Sequence, residues 1–393
     1  MPSTSFRLEN SNSIHFGRGE RARVRRCHST GRDIHLALQI ATRSVDATAA
    51  SMPMKDPVLL IMGLGAGLTI WNENFIAKLL LDGGFDSVIR FDNRDVGRST
   101  HISVPDVDDD DDDGDDDESK RHPTSNSFNY STRRDSLCAF PLMFGGHTSW
   151  GKPPYTLHDM MLDAVALLDH LQFPTAHWIG YSMGGAIAQL AAIHHPERVA
   201  SLVCINSTSG NHSLPAPALL TIAAVCRVPF KVHRWNALMS QVPVVGGWFC
   251  DSPKTELEMR MATDWTIVYN EGPSKEWVSG KWEHELSHRP EGQTAKQRDA
   301  AFLRQFLAVR TAASRDSPLS ETPTRGQTQP FPPTGVIFGT EDRILPPVHG
   351  YHLASILPGA KLLALPGMGH GLWPAYYDAM VAHIATVAAQ AVS

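Results

Sequence analysis

The segment from Ala176 to Pro196 constrains the fold of this chain more than any other. An apolar run leads into Gly180-Tyr181-Ser182-Met183-Gly184, and small residues follow until Pro196. This order predicts a buried strand, a sharp turn at Ser182 and a helix. Glycines on both sides of the turn leave room for neighbouring backbone, and the N-terminus of the helix favours developing negative charge. We therefore expect the Ser182 hydroxyl to stand above the end of a sheet as a nucleophile.

Similar apolar runs alternate with helical patterns along the rest of the chain. Short continuous apolar runs are typical of strands that are covered on both faces, and apolar residues at spacings of three and four predict the helices between them. Two segments of partial alternation near the start predict a hairpin. The sequence therefore predicts an α/β fold with a mostly parallel, eight-stranded sheet flanked by helices. The predicted strands are 21–29, 34–42, 57–62, 87–91, 176–180, 199–205, 335–339 and 361–365.

The strand pattern stops after the sixth of these strands and resumes near Thr334. The intervening residues contain helical patterns near 216–224, 255–268 and 295–311, so we predict a helical cap inserted after strand 6. The predicted organisation is a flexible N-terminus at 1–20, an α/β core formed by 21–206 and 334–393, and the cap at 207–333.

One acidic segment accounts for the negative charge of the chain. Eleven Asp and Glu residues lie between Asp106 and Glu118, whereas the formal net charge is only −6. The segment and the polar residues after it bury too little apolar surface to offset the entropy of ordering, so we predict a disordered insertion at 101–140. An EF-hand is excluded because Lys120 stands where the calcium loop needs a glutamate. The charge therefore predicts no nucleic-acid partner.

Two loops after the last predicted strands supply candidates for a base and an acid. His370 lies in Gly367-Met368-Gly369-His370-Gly371, directly after strand 361–365, and Asp342 follows strand 335–339. The order Ser182, Asp342, His370 is the order expected when a serine on a strand–turn–helix elbow uses a histidine and an acid. Glu341, beside Asp342, remains an alternative acid. Other histidines, at positions 194, 195, 349 and 352, do not follow a strand.

Backbone amides are the expected stabilisers of an oxyanion. Met183 follows the nucleophile directly, and Leu64 lies in the glycine-rich loop Gly63-Leu64-Gly65-Ala66-Gly67 after strand 57–62. We predict that the amides of Met183 and Leu64 form the oxyanion hole and contact the substrate. The same glycines do not make a dinucleotide site, because Leu68 occupies the position of the last glycine in G-x-G-x-x-G.

Cysteine content and hydropathy indicate the setting in which the protein works. The five cysteines form an odd set without metal-type spacing, so we predict no metal and a reducing, cytoplasmic compartment. No run reaches the roughly 18 consecutive apolar residues of a spanning helix, so we predict no transmembrane segment. Protein partners cannot be inferred from these features.

Three longer motifs resemble those of one family. They are Val88-Ile89-Arg90-Phe91-Asp92-Asn93-Arg94-Asp95-Val96-Gly97-Arg98-Ser99, the elbow at 180–185, and Leu365-Pro366-Gly367-Met368-Gly369-His370. Together they resemble the α/β-hydrolase superfamily, and within it the aclacinomycin methylesterase group. The resemblance implies hydrolysis of a small-molecule ester by a serine acyl-enzyme, a helical cap over the pocket, and no cofactor.

The leading functional hypothesis is therefore a serine hydrolase that cleaves a carboxylic ester of a small to medium apolar substrate. The same three residues could serve a lipase, a thioesterase, an acyltransferase or a peptidase, because a fold does not determine the bond that is cleaved. A ligand receptor on the same fold, with slow or absent turnover, is a hypothesis from a different class. Substrate tests separate these alternatives.

Overall fold

A sheet of nine strands, formed by the described residues, lies at the centre of this computed structural model. The structure describes residues 14–26, 33–43, 56–102, 153–216, 264, 268–270, 272–321 and 330–391. In chain order the strands are β1 (Ile14–Phe16), β2 (Glu20–Arg26), β3 (Asp33–Arg43), β4 (Val58–Ile61), β5 (Ser87–Phe91), β6 (Ala176–Tyr181), β7 (Val199–Ile205), β8 (Thr334–Gly339) and β9 (Lys361–Leu365). They lie in the spatial order β1-β3-β5-β4-β6-β7-β8-β9, and β2 pairs with β3 beside this path.

Most of the sheet is parallel, as predicted. The strands β5, β4, β6, β7, β8 and β9 pair in parallel, whereas β1, β2 and β3 pair antiparallel. The predicted hairpin is confirmed by the pairing of β2 with β3. The carboxyl ends of the parallel strands meet at one edge of the sheet, and this edge carries the candidate site.

The sheet has one strand more than the sequence predicts. Ile14–Phe16 lies inside the predicted flexible segment 1–20, yet it pairs antiparallel with residues 41–43 of β3. Ile14 and Phe16 also pack against a buried apolar cluster. A strand of three residues is too short to give a periodic signal, and tertiary pairing creates it. Residues 1–13 lie outside the described residues.

Helices cover both faces of the sheet. They are α1 (Glu73–Leu81), α2 (Leu157–His170), α3 (Met183–His194), α4 (Lys275–Ser287), α5 (Ala295–Arg310), α6 (Asp316–Ser320), α7 (Pro347–Ile356) and α8 (Tyr377–Ala388). Short 3-10 turns occur at Leu68–Ile70, Pro196–Arg198, Pro374–Tyr376 and Ala389–Ala391. Within the described ranges, no helix combines the length and apolar character needed to span a bilayer.

Alternate residues of the central strands supply two separate apolar clusters. Leu59 and Ile61 of β4 pack with residues of α2, α3 and α7, whereas Val58 and Leu60 pack with residues of α1 and α8. This two-sided burial explains the continuous apolar runs, because side chains of a strand point alternately to the two faces.

The start of helix α1 is set by a capping side chain. Leu68–Ile70 forms a 3-10 turn, and α1 starts at Glu73 because the Asn72 side chain caps it by accepting a hydrogen bond from the Asn74 amide at 2.8 Å. The predicted helix 295–311 agrees with α5, which is capped by a reciprocal pair of hydrogen bonds between Thr294 and Gln297.

Helix α4 is absent from the sequence prediction. Its buried side chains are Val278, Trp282 and the polar Glu285, so its apolar periodicity is weak. Ser274 caps the helix by accepting a hydrogen bond from the Trp277 amide. Nearly all of the predicted helices 216–224 and 255–268 lies outside the described residues.

The predicted insertion 101–140 begins too early by two residues. Ile102 is buried in an apolar cluster, and its amide donates a hydrogen bond of 2.7 Å to Asp95. The apolar packing of Ile102 involves distant parts of the chain, so no local pattern predicts it. Residues 103–140 lie outside the described residues.

Candidate active site

Ser182 occupies a strained turn between β6 and α3. Its φ is 54° and its ψ is −117°, a combination that non-glycine residues rarely adopt. Several contacts hold the turn in place: its amide donates to the Ile205 carbonyl at 2.8 Å, and its carbonyl accepts from the Ser207 hydroxyl at 2.8 Å. Ser182 is also the N-cap residue of α3, so its hydroxyl lies near the positive end of that helix.

The glycines of the elbow are required by close backbone contacts. A side chain at Gly180 would collide with the backbone of Gly184, and a side chain at Gly184 would collide with the carbonyl of Ile61. These contacts give the physical reason for the glycine spacing around Ser182. The strand, the turn and the helix therefore pack so closely that positions 180 and 184 have no room for a Cβ atom.

His370 lies between Ser182 and Asp342. Its Nε2 is 3.1 Å from the Ser182 hydroxyl oxygen, and its Nδ1 is 2.7 Å from an Asp342 carboxylate oxygen. A proton on Nδ1 satisfies the contact with Asp342 and leaves Nε2 free to accept the serine proton. His370 and Asp342 are both buried. The structure thus brings the three candidate residues together in one hydrogen-bonded row.

The contacts of Asp342 distinguish it from its neighbour. One carboxylate oxygen faces His370, while the other accepts hydrogen bonds from the amides of Ile344 and Leu345, each at 2.8 Å. Glu341 is exposed. The alternative acid at position 341 therefore has no contact with His370 among the described residues.

The competing histidines have partners of other kinds. The ring of His194 packs against His158, and His195 contacts Glu197. His349 bonds to Thr208 and to the carbonyl of Pro215, and His352 bonds to Asp316. None of these contacts reaches Ser182.

Two buried side chains that the sequence reading missed hold the His370 loop. The Tyr181 hydroxyl donates to the His370 carbonyl at 2.6 Å, and the Asn206 amide donates to the same carbonyl at 2.8 Å. Burial raises the pKa of Tyr181 well above its usual value, so the phenol keeps the proton that it donates. Asn206 also accepts from the Gly339 amide at 2.9 Å. It thereby joins β7 to the loops that carry both Asp342 and His370.

A signal for Asn206 was present in the sequence. It directly follows the strand that precedes the predicted cap. In the structure its φ is 45°, a left-handed conformation that asparagine tolerates better than most residues. Asn206 thus holds the histidine loop from the carboxyl end of a buried strand.

A short segment before α4 packs on the other side of the His370 loop. The Gly371 amide donates to the Val268 carbonyl at 2.8 Å, and the ring of Tyr269 lies where a side chain at Gly371 would project. Asn270 accepts a hydrogen bond of 2.8 Å from Arg343, next to Asp342. Both the acid and the histidine loops are therefore contacted from residues 268–270.

The predicted oxyanion loop lies against the nucleophile. A Cβ atom built at Gly63 would be 3.1 Å from the Ser182 Cβ, so the backbone of this loop passes directly beside the serine. The Leu64 and Met183 amides have no hydrogen-bond acceptor among the residues that the structure describes. Amide donors without an acceptor, beside a serine that is hydrogen-bonded to a histidine, fit the requirement for stabilising an oxyanion.

The neighbouring amides of the loop are bonded to buried side chains. Gly65 donates to Gln305 at 2.8 Å, Gly67 donates to Glu285 at 2.9 Å, and Leu68 donates to Asp92 at 2.7 Å. Gln305 and Glu285 belong to α5 and α4. Sequence reasoning missed both, because nothing in a helix pattern shows which distant backbone a glutamine or glutamate will contact.

Buried charges near the site pair with each other. Arg94 makes a bidentate contact with Asp163, at 2.6 and 2.7 Å, and Arg304 makes one with Asp95, at 2.8 Å for both bonds.

Among the residues that the structure describes, no group of three or more His, Cys, Asp or Glu side chains is arranged to hold a metal ion.

The comparison with protein families agrees with this geometry. The family model for the alpha/beta hydrolase fold matches residues 56–372, which include the elbow, the acid and the histidine. The chain belongs to the α/β-hydrolase fold family. Rhodomycin D methylesterase DnrP of Streptomyces peucetius is 25% identical over 335 residues, covering 84% of this chain and 90% of the relative. Rhodomycin D methylesterase DauP of a Streptomyces species is likewise 25% identical over 343 residues.

Solved structures of α/β hydrolases share the architecture at lower identity. A meta-cleavage product hydrolase from Pseudomonas fluorescens has a TM-score of 0.56 at 14% identity, over 96% of this chain and 98% of that one. A thermophilic esterase from Thermogutta terrifontis has a TM-score of 0.54 at 16% identity, over 95% and 100% of the two chains. At these identities the likeness concerns the fold.

Proposed function

We propose that this esterase-type α/β hydrolase cleaves a carboxylic ester through an acyl-enzyme on Ser182. The observation that carries the proposal is the position of His370, whose two ring nitrogens lie 3.1 Å from the Ser182 hydroxyl and 2.7 Å from Asp342. Serine alone is a weak nucleophile, and a histidine oriented by a carboxylate is the arrangement that activates it.

The first half of the reaction forms the acyl-enzyme. The Ser182 oxygen attacks the ester carbonyl carbon while His370 Nε2 takes the serine proton, and the carbonyl oxygen becomes an oxyanion that accepts hydrogen bonds from the Leu64 and Met183 amides. Collapse of this intermediate breaks the bond to the alcohol oxygen, which takes the proton from His370. Asp342 stabilises the imidazolium that exists between these two transfers.

The second half releases the acid. A water molecule gives its proton to His370 Nε2 and attacks the acyl carbon, forming a second oxyanion in the same position. Collapse returns the proton to the Ser182 oxygen and frees a carboxylic acid. No cofactor takes part in either half of this scheme.

The proposed substrate is a small to medium apolar ester. Support for an ester comes from the two methylesterase relatives, each of which aligns over most of its length. The observation that supports an apolar substrate is the position of Phe302, whose ring lies against Gly65.

The test uses a fluorophosphonate probe and p-nitrophenyl butyrate. Wild type should be labelled at Ser182, located by peptide mass spectrometry, and Ser182→Ala should lose both labelling and hydrolysis. Asp342→Asn should lower kcat by about 10³-fold or more, because the imidazole loses the partner that orients it. Glu341→Gln is the matched control, since it removes the adjacent exposed carboxylate, and it should retain wild-type activity.

Two results would contradict the proposal. Folded wild type that neither reacts with the probe nor hydrolyses esters would favour a receptor. Hydrolysis that survives Ser182→Ala would place the reaction elsewhere. A panel of esters, thioesters and amides then compares the esterase with a thioesterase or peptidase that uses the same residues.

A further inference from the structure

Helix α5 holds the oxyanion loop through one buried glutamine. Gln305 is fully buried, and its Oε1 accepts a hydrogen bond of 2.8 Å from the Gly65 amide. Its Nε2 donates to the Arg94 carbonyl at 2.7 Å, so both ends of the side-chain amide are engaged. The position of the oxygen is therefore set by a second hydrogen bond as well as by the helix.

The helix itself is anchored one residue earlier. Arg304 makes two hydrogen bonds of 2.8 Å with Asp95, and both side chains are buried. Asp95 also accepts from the Tyr155 hydroxyl at 2.7 Å. A bidentate contact between a guanidinium and a carboxylate fixes direction as well as distance, so it determines where the next residue of α5 points.

Phe302 of α5 packs against the same residue of the loop, Gly65. Gly65 has a φ of 66°, and a Cβ built there would be 2.5 Å from the ring of Phe302. Phe302 and Gln305 are three residues apart and share a face of α5. One side chain packs on Gly65, and the other accepts its amide hydrogen.

Beyond Leu64, the amides of the loop are taken up by hydrogen bonds. The amides of Gly65, Gly67 and Leu68 have side-chain acceptors, and Ala66 donates weakly to Gly63 at 3.5 Å. Among the described residues, the Leu64 amide has no acceptor. The hydrogen bond to Gln305 fixes the peptide plane between Leu64 and Gly65. This plane meets the plane that carries the Leu64 amide at the Leu64 Cα atom, so it restricts the direction of that amide.

We infer that Gln305 is a positioning residue for the oxyanion hole, which aims the Leu64 amide at the reacting carbonyl oxygen through its hydrogen bond to Gly65. This inference rests on the proposed function, since it assigns a role within the same reaction. Gln305 does not touch the substrate, and its effect is on the geometry of a donor that matters most in the transition state.

The experiment replaces Gln305 with methionine, which has a similar length and no strong hydrogen-bonding group. With p-nitrophenyl butyrate, Gln305→Met should lower kcat by about tenfold to a hundredfold, because a displaced oxyanion donor loses most of its effect. KM should change by less than about threefold, because the ground state depends little on that donor.

Two control variants separate positioning from a general loss of stability. Leu307→Ala removes a buried side chain two residues further along α5 and should lower the melting temperature while leaving kcat near wild type. Arg310→Met introduces methionine at an exposed position of α5 and should affect neither parameter strongly.

The possible results are distinct. Hydrolysis in wild type that depends on Ser182, together with an unchanged kcat in Gln305→Met, would overturn the inference alone. Equal losses of kcat in Gln305→Met and Leu307→Ala would also overturn it. Absence of Ser182-dependent hydrolysis in folded wild type would overturn the proposed function and this inference together.

Discussion

The sheet beneath Ser182 and the contact between α5 and the core are built from different interactions. The strands β6 and β7 pack through apolar side chains such as Trp178, Ile179 and Leu202, all of which have no exposed surface. Helix α5 adds buried polar contacts to its apolar ones, with Arg304 on Asp95 and Gln305 on Gly65. Apolar packing is non-directional, whereas each polar contact depends on one partner at one position.

This difference has a consequence for function. Apolar strands form a rigid support that many apolar sequences could provide, and losing one contact leaves the others in place. A buried ion pair behaves differently, because removing one partner leaves the other charge without compensation. We therefore expect the interface of α5 to respond more sharply to single substitutions than the sheet.

The largest effect is expected at the ion pair of α5. Arg304→Met should lower the free energy of unfolding by about 3 kcal/mol, because Asp95 would remain buried without its guanidinium partner. Urea unfolding followed by tryptophan fluorescence measures this change. Arg310→Met, the same substitution at an exposed position of α5, should cost no more than about 0.5 kcal/mol.

A double variant sharpens this comparison. Adding Asp95→Asn to Arg304→Met removes the uncompensated charge, so the pair should lose less stability than the sum of the two single variants. Strictly additive losses of stability would show that Arg304 and Asp95 contribute independently. The interface of α5 would then respond to substitutions no differently from the apolar sheet.

A smaller effect is expected at the polar end of β7. Asn206→Ala should lower stability by about 2 kcal/mol, because the Gly339 amide and the Gly369 carbonyl would lose a buried partner. It should also lower kcat more than it changes KM, since the His370 loop loses a support. The measurements are urea unfolding and hydrolysis of p-nitrophenyl butyrate.

The control for Asn206 lies in the same loop. Asn211→Ala removes hydrogen bonds to Ser213 and Asp316, away from Ser182, and should leave kcat unchanged. If Asn206→Ala and Asn211→Ala lowered kcat equally, Asn206 would have no special role in holding His370.

The smallest effect is expected within the apolar part of β7. Burial raises the pKa of the Cys204 thiol to about 12, so the reactive thiolate is scarce near neutral pH. Iodoacetamide at pH 8 should leave Cys204 unmodified in the native protein and modify it in guanidinium chloride, as measured by peptide mass spectrometry. Rapid modification of the native protein would show that β7 opens easily and is not the rigid support described above.

Local patterns predicted much of the fold and of the candidate site. Strands β5, β7 and β9 have the predicted bounds, and helix α5 agrees to within one residue. These elements carry strong signals because both faces of a buried strand are apolar and because helix caps are local. Ser182, Asp342 and His370 could be identified for the same reason, since each follows a strand whose end is visible in the sequence.

Contacts between distant segments could not be predicted in this way. Strand β1 has three residues and depends on pairing with β3, and α4 has too few apolar positions to give a clear period. Gln305 and Gly65 are separated by 240 residues, and nothing near either one indicates the other. A hydrogen bond between such residues exists only when the whole chain has folded.

By itself, the sequence determined the alternation of strands and helices, the elbow at Ser182 and the order of the three candidate catalytic residues. It could do so because hydrophobic periodicity and glycine requirements act over a few neighbouring residues. The tertiary structure alone decided that Asp342 rather than Glu341 reaches His370, that Asn206 supports the histidine loop, and that Gln305 holds the oxyanion loop. These outcomes depend on directional polar contacts between segments far apart in the chain, whose geometry no local pattern contains.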